Sequence, residues 1–227
     1  MRPLYAYFAG EEEYPDLDIQ GAVDRLSRAI QCPTVNHADH SLTDFAPFGA
    51  LHALIRGAYP HVMAAGQYEE IGHAVLITIP GCDESLLPCL YMSHQDVVPV
   101  LPGTEEDWTY GPFSGAVAEG YVWGRGTLDI KEQVFGVLEA AEYLLSHGRQ
   151  FRRTAYLAFG DDEETLNLGA QAIAETLEER GVRLAFVLDE GGCRLTSGAD
   201  FGAPGQAVYS IDLMEKGYAD LELTAES

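Results

Sequence analysis

The chain has 227 residues, 47% of them hydrophobic and 22% charged, which is enough apolar material for one sizeable core and excludes a disordered or collagen-like chain. Its 13 Lys and Arg against 36 Asp and Glu give a formal charge of -23, a balance that repels phosphate backbones and anionic headgroups, so no nucleic acid and no membrane partner is expected. The only lysines are Lys131 and Lys216, so clustered acids must be hydrated, paired with arginine, or neutralised by a bound cation.

In chain order, Ile19, Val23, Leu26 and Ile30 fall at helical spacing and Pro33 stops them. A second helix is predicted from Pro47 to Tyr59, with Thr43 or Asp44 near its start and Pro60 ending it. The β-branched run His73 to Ile79, bounded by Gly72 and Pro80-Gly81, predicts a strand, and the apolar run from Leu86 leads directly into Ser93-His94. Two short runs around Glu119-Gly120 predict a hairpin. Val134, Val137, Leu138, Ala141, Leu144 and Leu145 mark an amphipathic helix from Glu132 to His147, closed by Gly148. Thr154 to Phe159 predicts a strand, Gly169 to Arg180 a helix and Leu184 to Leu188 another strand.

Strands alternating with helices imply an α/β fold with a mostly parallel sheet flanked by helices. After a Gly-rich loop, AVYSID and GYADLELTA alternate and predict an antiparallel ribbon at the sheet margin. There is no internal repeat, and one domain is the default. The four cysteines form no CxxC pair, which predicts buried free thiols rather than a disulfide framework. No uninterrupted apolar region of signal-peptide type precedes the acidic run Glu11 to Glu13, and a cytoplasmic protein is expected.

In an open parallel sheet the functional groups collect beyond the carboxyl ends of the strands. The Leu86 strand ends in His94-Gln95-Asp96, the Thr154 strand in Gly160-Asp161-Asp162-Glu163-Glu164, and the Leu184 strand in Asp189-Glu190-Gly191-Gly192. The hairpin runs into Trp123-Gly124-Arg125-Gly126-Thr127-Leu128-Asp129, just ahead of a helix. An imidazole and several carboxylates converging on one crevice are costly unless a cation sits among them, and the donor set suits Zn or Co, with Mn possible. No dinucleotide fingerprint, Walker A sequence or GxSxG elbow competes with that reading.

The segments SHQDVVPV, PGTEEDWTYGPFSG, WGRGTLDIK, YLAFGDDEET and FVLDEGG resemble, in order and spacing, the dinuclear-zinc exopeptidase family of glutamate carboxypeptidase, succinyl-diaminopimelate desuccinylase and aminoacylase. The likeness is greatest to its carboxypeptidase S-like branch and covers nearly the whole chain. It implies a metal-dependent hydrolase of peptides or N-acyl amino acids, with two Zn2+ per complete site and Co2+ or Mn2+ as alternatives. His94 and Asp189 would hold one metal, Glu164 would belong to the other, and Asp129 would bridge them. Asp96 would accept from the other ring nitrogen of His94, and Glu163 would be the general base. The family also often has a cis peptide at the position of Asp129-Ile130.

This chain departs from the family pattern at Ile130, Glu132, Asp161 and Leu166-Asn167. The resemblance further implies that residues 1–227 are part of a catalytic domain, without the lid and dimerisation domain and without the later segment that supplies the last metal-ligand histidine. The remaining histidines, His37, His40, His52, His61, His73 and His147, lie outside the motifs and are expected to be ordinary. Two readings of the chain stay open, the first part of a longer or split enzyme and an inactive α/β module that binds a metal or a partner. A chain ending inside a strand is expected to associate with a complementary chain or with itself.

Overall fold

Alternating apolar side chains in two strands decide which helices cover which face of the central sheet. The computed structural model describes residues 14, 16–191, 194–195, 197–209 and 213. It divides into residues Met1–Asp189, which carry the sheet and the motifs, and a smaller unit, Glu190–Ser227.

The first unit runs α1 (Ile19–Ile30), α2 (Ala46–Ala58), α3 (Pro60–Ala65), β1 (Gln67–Ile71), β2 (Ala74–Ile79), β3 (Cys89–His94), β4 (Ala116–Ala118), β5 (Tyr121–Trp123), α4 (Lys131–Ser146), β6 (Ala155–Gly160), α5 (Leu168–Glu179) and β7 (Phe186–Leu188). Five strands form one sheet in the order β1-β2-β6-β3-β7. The pairs β6·β3 and β3·β7 are parallel, while β1·β2 and β2·β6 are antiparallel. Helices flank a mixed sheet whose parallel part carries the motif-bearing strand ends, and its antiparallel margin is the β1–β2 hairpin. Of the ribbon expected after the Gly-rich loop, Val208–Tyr209 of AVYSID is strand β9, but its antiparallel partner is β8 (Arg194–Leu195), which lies before that loop, and the pair is a sheet of its own rather than a margin of the main sheet. GYADLELTA lies outside the described residues.

Side chains alternate across a strand with period two. Val75, Ile77 and Ile79 of β2 and Leu157 and Phe159 of β6 therefore share one face, buried with Leu51, Ile55, Val62, Val134 and Leu138 from α2, α3 and α4. Ala74 and Leu76 with Tyr156 and Ala158 point the other way, against Ile173 and Leu177 of α5. Edge strand β7 remains about half exposed at Phe186, Val187 and Leu188.

Several boundaries differ from expectation for local reasons. The third strand begins at Cys89 rather than Leu86, because Pro88 has no N–H to give a ladder. Helix α2 stops at Ala58, ahead of Pro60 as expected, but Pro60 then opens a further helix, α3, where its missing N–H would have had no helical partner. The β4–β5 hairpin turns at Glu119 (φ 56°) and Gly120 (φ 83°), the left-handed pair that suits a tight two-residue connection. Among the described cysteines none is in a disulfide, but only Cys89 is buried, Cys32 being half-buried and Cys82 exposed; loops rather than core elements carry the latter two. Among the described residues no helix is long and apolar enough to cross a membrane.

Helix α1 is locked onto α4 by polar as well as apolar contacts. The Arg25 guanidinium grips the Glu139 carboxylate through Nε and Nη2, and the Tyr59 hydroxyl donates to Glu139 Oε1 at 2.8 Å. The carboxylate raises the Arg25 pKa further, and burial raises that of Tyr59, so both donors keep their protons at neutral pH and above. Leu138, fully buried where α4 meets the sheet, is central to the same layer. Leu138→Ala is expected to lower stability by about 2 to 5 kcal/mol, read as a shift in the urea midpoint with an unchanged slope.

Candidate metal centre

The end of β3 is held by the residue between His94 and Asp96. Gln95 donates from Nε2 to Phe159 O (2.9 Å) and His73 O (3.2 Å), its Oε1 meets His52 Nε2 at 2.7 Å, and its carbonyl accepts from Thr34 Oγ1 at 2.6 Å. Its N–H donates to Gly160 O at 2.8 Å, extending the parallel register of β3 and β6 by one bond. Gln95 is fully buried with all these partners, so His94 and Asp96 on either side of it leave the strand in fixed directions. Sequence reading had assigned Gln95 nothing, since an amide between two ligand-type residues carries no signal of its own.

Asp96 is fully buried and serves two neighbours. Its Oδ1 accepts from the Glu163 N–H and its Oδ2 from the Glu164 N–H, each at 3.1 Å. The expected bond to the imidazole is shared: His94 Nδ1 lies 3.0 Å from the Asp96 carbonyl oxygen and 3.3 Å from Oδ1. The carboxylate that was expected to orient the histidine therefore also fixes the backbone beneath both glutamates.

His94 Nε2 faces the opposite way, 3.2 Å from Asp129 Oδ1 and 3.7 Å from Glu163 Oε2. His94, Glu163 and Glu164 each offer a ligand atom, and these atoms lie within 4.8 Å of one another. The imidazole is 2% exposed, whereas the side chains of Asp129 and Glu163 are 66% and 42% exposed, so the cluster is anchored from below and open above. Asp129 precedes a cis peptide bond to Ile130. Asp189 follows β7 directly and is exposed, near enough for its charge to act on Glu163.

The electrostatics are those of crowded acids. Burial raises the Glu163 pKa, and the charges of Asp96, Asp129 and Asp189 push the same way against the opposing pull of His94. Burial likewise raises Glu164, with Asp129, Asp96 and Glu163 adding to it against His94. An imidazole nitrogen and several carboxylates, of which burial and neighbouring charges make Glu163 and Glu164 more basic, fit a divalent cation, which would offset both effects. His94, Asp129 and Glu164 lie where they could hold it, Asp129 Oδ1 and a Glu164 carboxylate oxygen both being near the same imidazole.

Around this cluster the departures from the family pattern have structural positions. Glu132 lies in the first turn of α4, where negative charge suits the N-terminal end of the helix. Asn167 adopts a left-handed conformation (φ 54°) and gives α5 no side-chain cap. The cap comes instead from Asp162, whose carboxylate accepts from Leu168 N at 2.8 Å and Gly169 N at 2.7 Å. Of the histidines outside the motifs, His52 supports the site through Gln95, a role that sequence spacing did not reveal.

Comparison with known proteins agrees with this geometry. Residues 90–220 match the sequence profile described as Peptidase family M20/M25/M40. The N-fatty-acyl-amino acid synthase/hydrolase PM20D1 of Xenopus tropicalis is 40% identical over 208 residues, 89% of this chain and 39% of that protein. The putative carboxypeptidase YOL153C of Saccharomyces cerevisiae is 36% identical over 216 residues, 89% of this chain and 36% of that protein. Human carnosine dipeptidase 1 shares the fold with a TM-score of 0.60 at 17% identity, over 78% of this chain and 40% of that one. The metallo-carboxypeptidase Sso-CP2 of Sulfolobus solfataricus, itself of the M20 family, gives 0.58 at 19% identity over 76% and 40%. The chain thus spans about two fifths of the length of the curated relatives it matches.

Beside the cluster, the buried Asp161 carboxyl is pushed up to about 6, by burial first and then by the charges of Asp162 and Asp96. A raised carboxyl pKa means that the folded state holds its proton more tightly than the unfolded chain, so stability falls as pH rises from 3.8 through about 6. Glu163 and Glu164 act in the same direction above 4.5. In chelator-treated protein, Asp161→Asn is expected to raise the urea midpoint at pH 7 and to flatten its decline between about pH 4 and 6. An undiminished decline in the variant would assign the pH dependence to other groups.

Proposed function

This chain belongs to Peptidase family M20/M25/M40, and from that premise we propose that it forms part of the catalytic domain of a zinc-dependent hydrolase cleaving the amide bond of N-acyl amino acids or peptides. The observation that carries the proposal is the meeting of His94, Glu163 and Glu164 within 4.8 Å, with Asp129 Oδ1 3.2 Å from the same imidazole nitrogen. The N-fatty-acyl-amino acid hydrolase and the carboxypeptidase among its relatives favour substrates that pair an amide with a carboxylate.

In this reading His94 and Asp189 would hold one zinc ion and Glu164 the other, with Asp129 available to both. The chemistry that two zinc ions supply when bound is Lewis acidity toward the scissile carbonyl and a nucleophile at neutral pH. Glu163 accepts the proton of the attacking water at its carboxylate and returns it to the departing amine. Its pKa, raised by burial, suits that work, because a more basic carboxylate takes up a proton more readily before handing it on. Asp96 keeps the two glutamates apart in role: by fixing both backbone N–H groups, it aims two consecutive side chains differently. His94 is held by Asp96 on its Nδ1 side, which leaves Nε2 turned toward the carboxylates. A reducing compartment such as the cytoplasm suits the exposed Cys82 thiol.

Glu163→Gln is expected to lower hydrolysis of N-acyl amino acids by the whole protein about a hundredfold to ten-thousandfold while zinc content, measured by mass spectrometry, stays at the parent value. Undiminished turnover would remove Glu163 as the base. Dialysis against a chelator is expected to abolish turnover and added zinc to restore it; activity that persists in metal-free protein would refute the metal reading.

A further inference from the structure

We infer that Lys131 is a positioning residue for the metal centre, holding Asp129 in reach of His94 by tying the start of α4 to the C-terminal end of α1. The inference deepens the metal reading proposed above and rests on it.

With its side chain 66% exposed, Asp129 is placed by the backbone that carries it rather than by packing around its carboxylate. That backbone is a turn, closed where the Lys131 N–H donates to Gly126 O at 2.9 Å. Beyond Asp129 the chain is buried at once: Ile130 is 4% exposed and Lys131 is fully buried. A buried ammonium must be matched by acceptors, and Lys131 Nζ has two, Ala29 O at 3.1 Å and Cys32 O at 2.6 Å. Both carbonyls sit at the C-terminal end of α1, where the helix dipole favours a cation.

The segment that receives Lys131 also braces the other wall of the site. After Cys32, the Val97 N–H donates to Thr34 O at 3.0 Å and Val35 bridges Val97 in parallel, one residue beyond Asp96. Gly126 completes the junction: at φ +85° its backbone lies so close that a Cβ would come within 2.6 Å of Val97 Cγ1 and 3.6 Å of Lys131 Cδ. A single strap, residues 32 to 36, thus fixes the His94–Asp96 end of β3 on one side and, through Lys131, the Asp129 turn on the other. Of the links in this strap, Lys131 is the side chain that comes from the Asp129 side.

The test is a double-mutant cycle on the full chain, with zinc alone titrated calorimetrically into the parent, Lys131→Met, Asp129→Asn and the double variant. Thermal melting of the metal-free forms runs alongside, with Leu138→Ala as a destabilised control. Lys131→Met keeps the length of the stem and removes the ammonium. The expected result is zinc binding weakened about tenfold or more by Lys131→Met, a loss that vanishes when Asp129 is already Asn, and parent-like affinity in Leu138→Ala. Parent-like affinity in Lys131→Met, or an equal loss with and without Asp129, overturns the inference and leaves Lys131 with a role in stability alone. If Lys131→Met does not fold, Lys131→Arg takes its place in the cycle, with a smaller loss expected that again vanishes beside Asp129→Asn; an unchanged or Asp129-independent affinity overturns the inference there too. No zinc uptake by the parent would overturn the metal reading itself, and this inference with it.

Discussion

Repulsion among carboxylates gathered around one imidazole is the constraint on which the rest of this structure depends. The sheet brings it about: β3, β6 and β7 run parallel, so their carboxyl ends open on one side and deliver His94 and Asp96, Asp161 to Glu164, and Asp189 to the same rim. The antiparallel β1–β2 hairpin sends its chain ends elsewhere and contributes core rather than chemistry. An acidic rim is a poor arrangement for stability in a chain of net charge -23, and burial makes it worse by raising Glu163 and Glu164. Such a site makes physical sense when a cation belongs to it.

What allows the acids to be held so close is a frame of neutral and cationic donors beneath them. Asp96 receives two backbone N–H groups, Asp162 receives two more at the start of α5, and Gln95 spends its amide on the sheet and on His52. The cations are placed one level further out: the half-buried Arg25 answers Glu139 within the helical layer, and the buried Lys131 answers the carbonyls at and just after the end of α1. Burial lowers Lys131 to about 8, opposed by the charges of Cys32 and Asp96. Rigid support with an exposed upper face is the arrangement that a site needs if it is to bind from solvent without rearranging.

Much of this was legible from residue order. The periodicities located α1, α2, α4, α5, β2 and β6 to within a few residues, because each buries a continuous stripe or an alternating face. The reading failed where local rules compete: proline before β3 delays a strand, while proline at the start of α3 begins a helix, and only the surroundings tell the two apart. Strand β1, QYEEI, passed unnoticed because Glu69 and Glu70 are tied to Arg180 and Arg56, partners that no window of sequence contains.

For the site itself, the sequence by itself determined which groups are present and that they follow strand ends: His94, Asp96, Asp129, Glu163, Glu164 and Asp189 stand in motifs whose donor chemistry suits a divalent metal. Tertiary structure alone decided that Asp96 spends its carboxylate on the N–H groups of Glu163 and Glu164, that Gln95 anchors the strand end between two ligand-type residues, and that Lys131 reaches back to α1. The reason is that these bonds join residues 64 to 102 positions apart. A hydrogen bond over that separation leaves no periodicity or spacing behind it; it exists only once the sheet register and the crossing of α1 with α4 have brought donor and acceptor together.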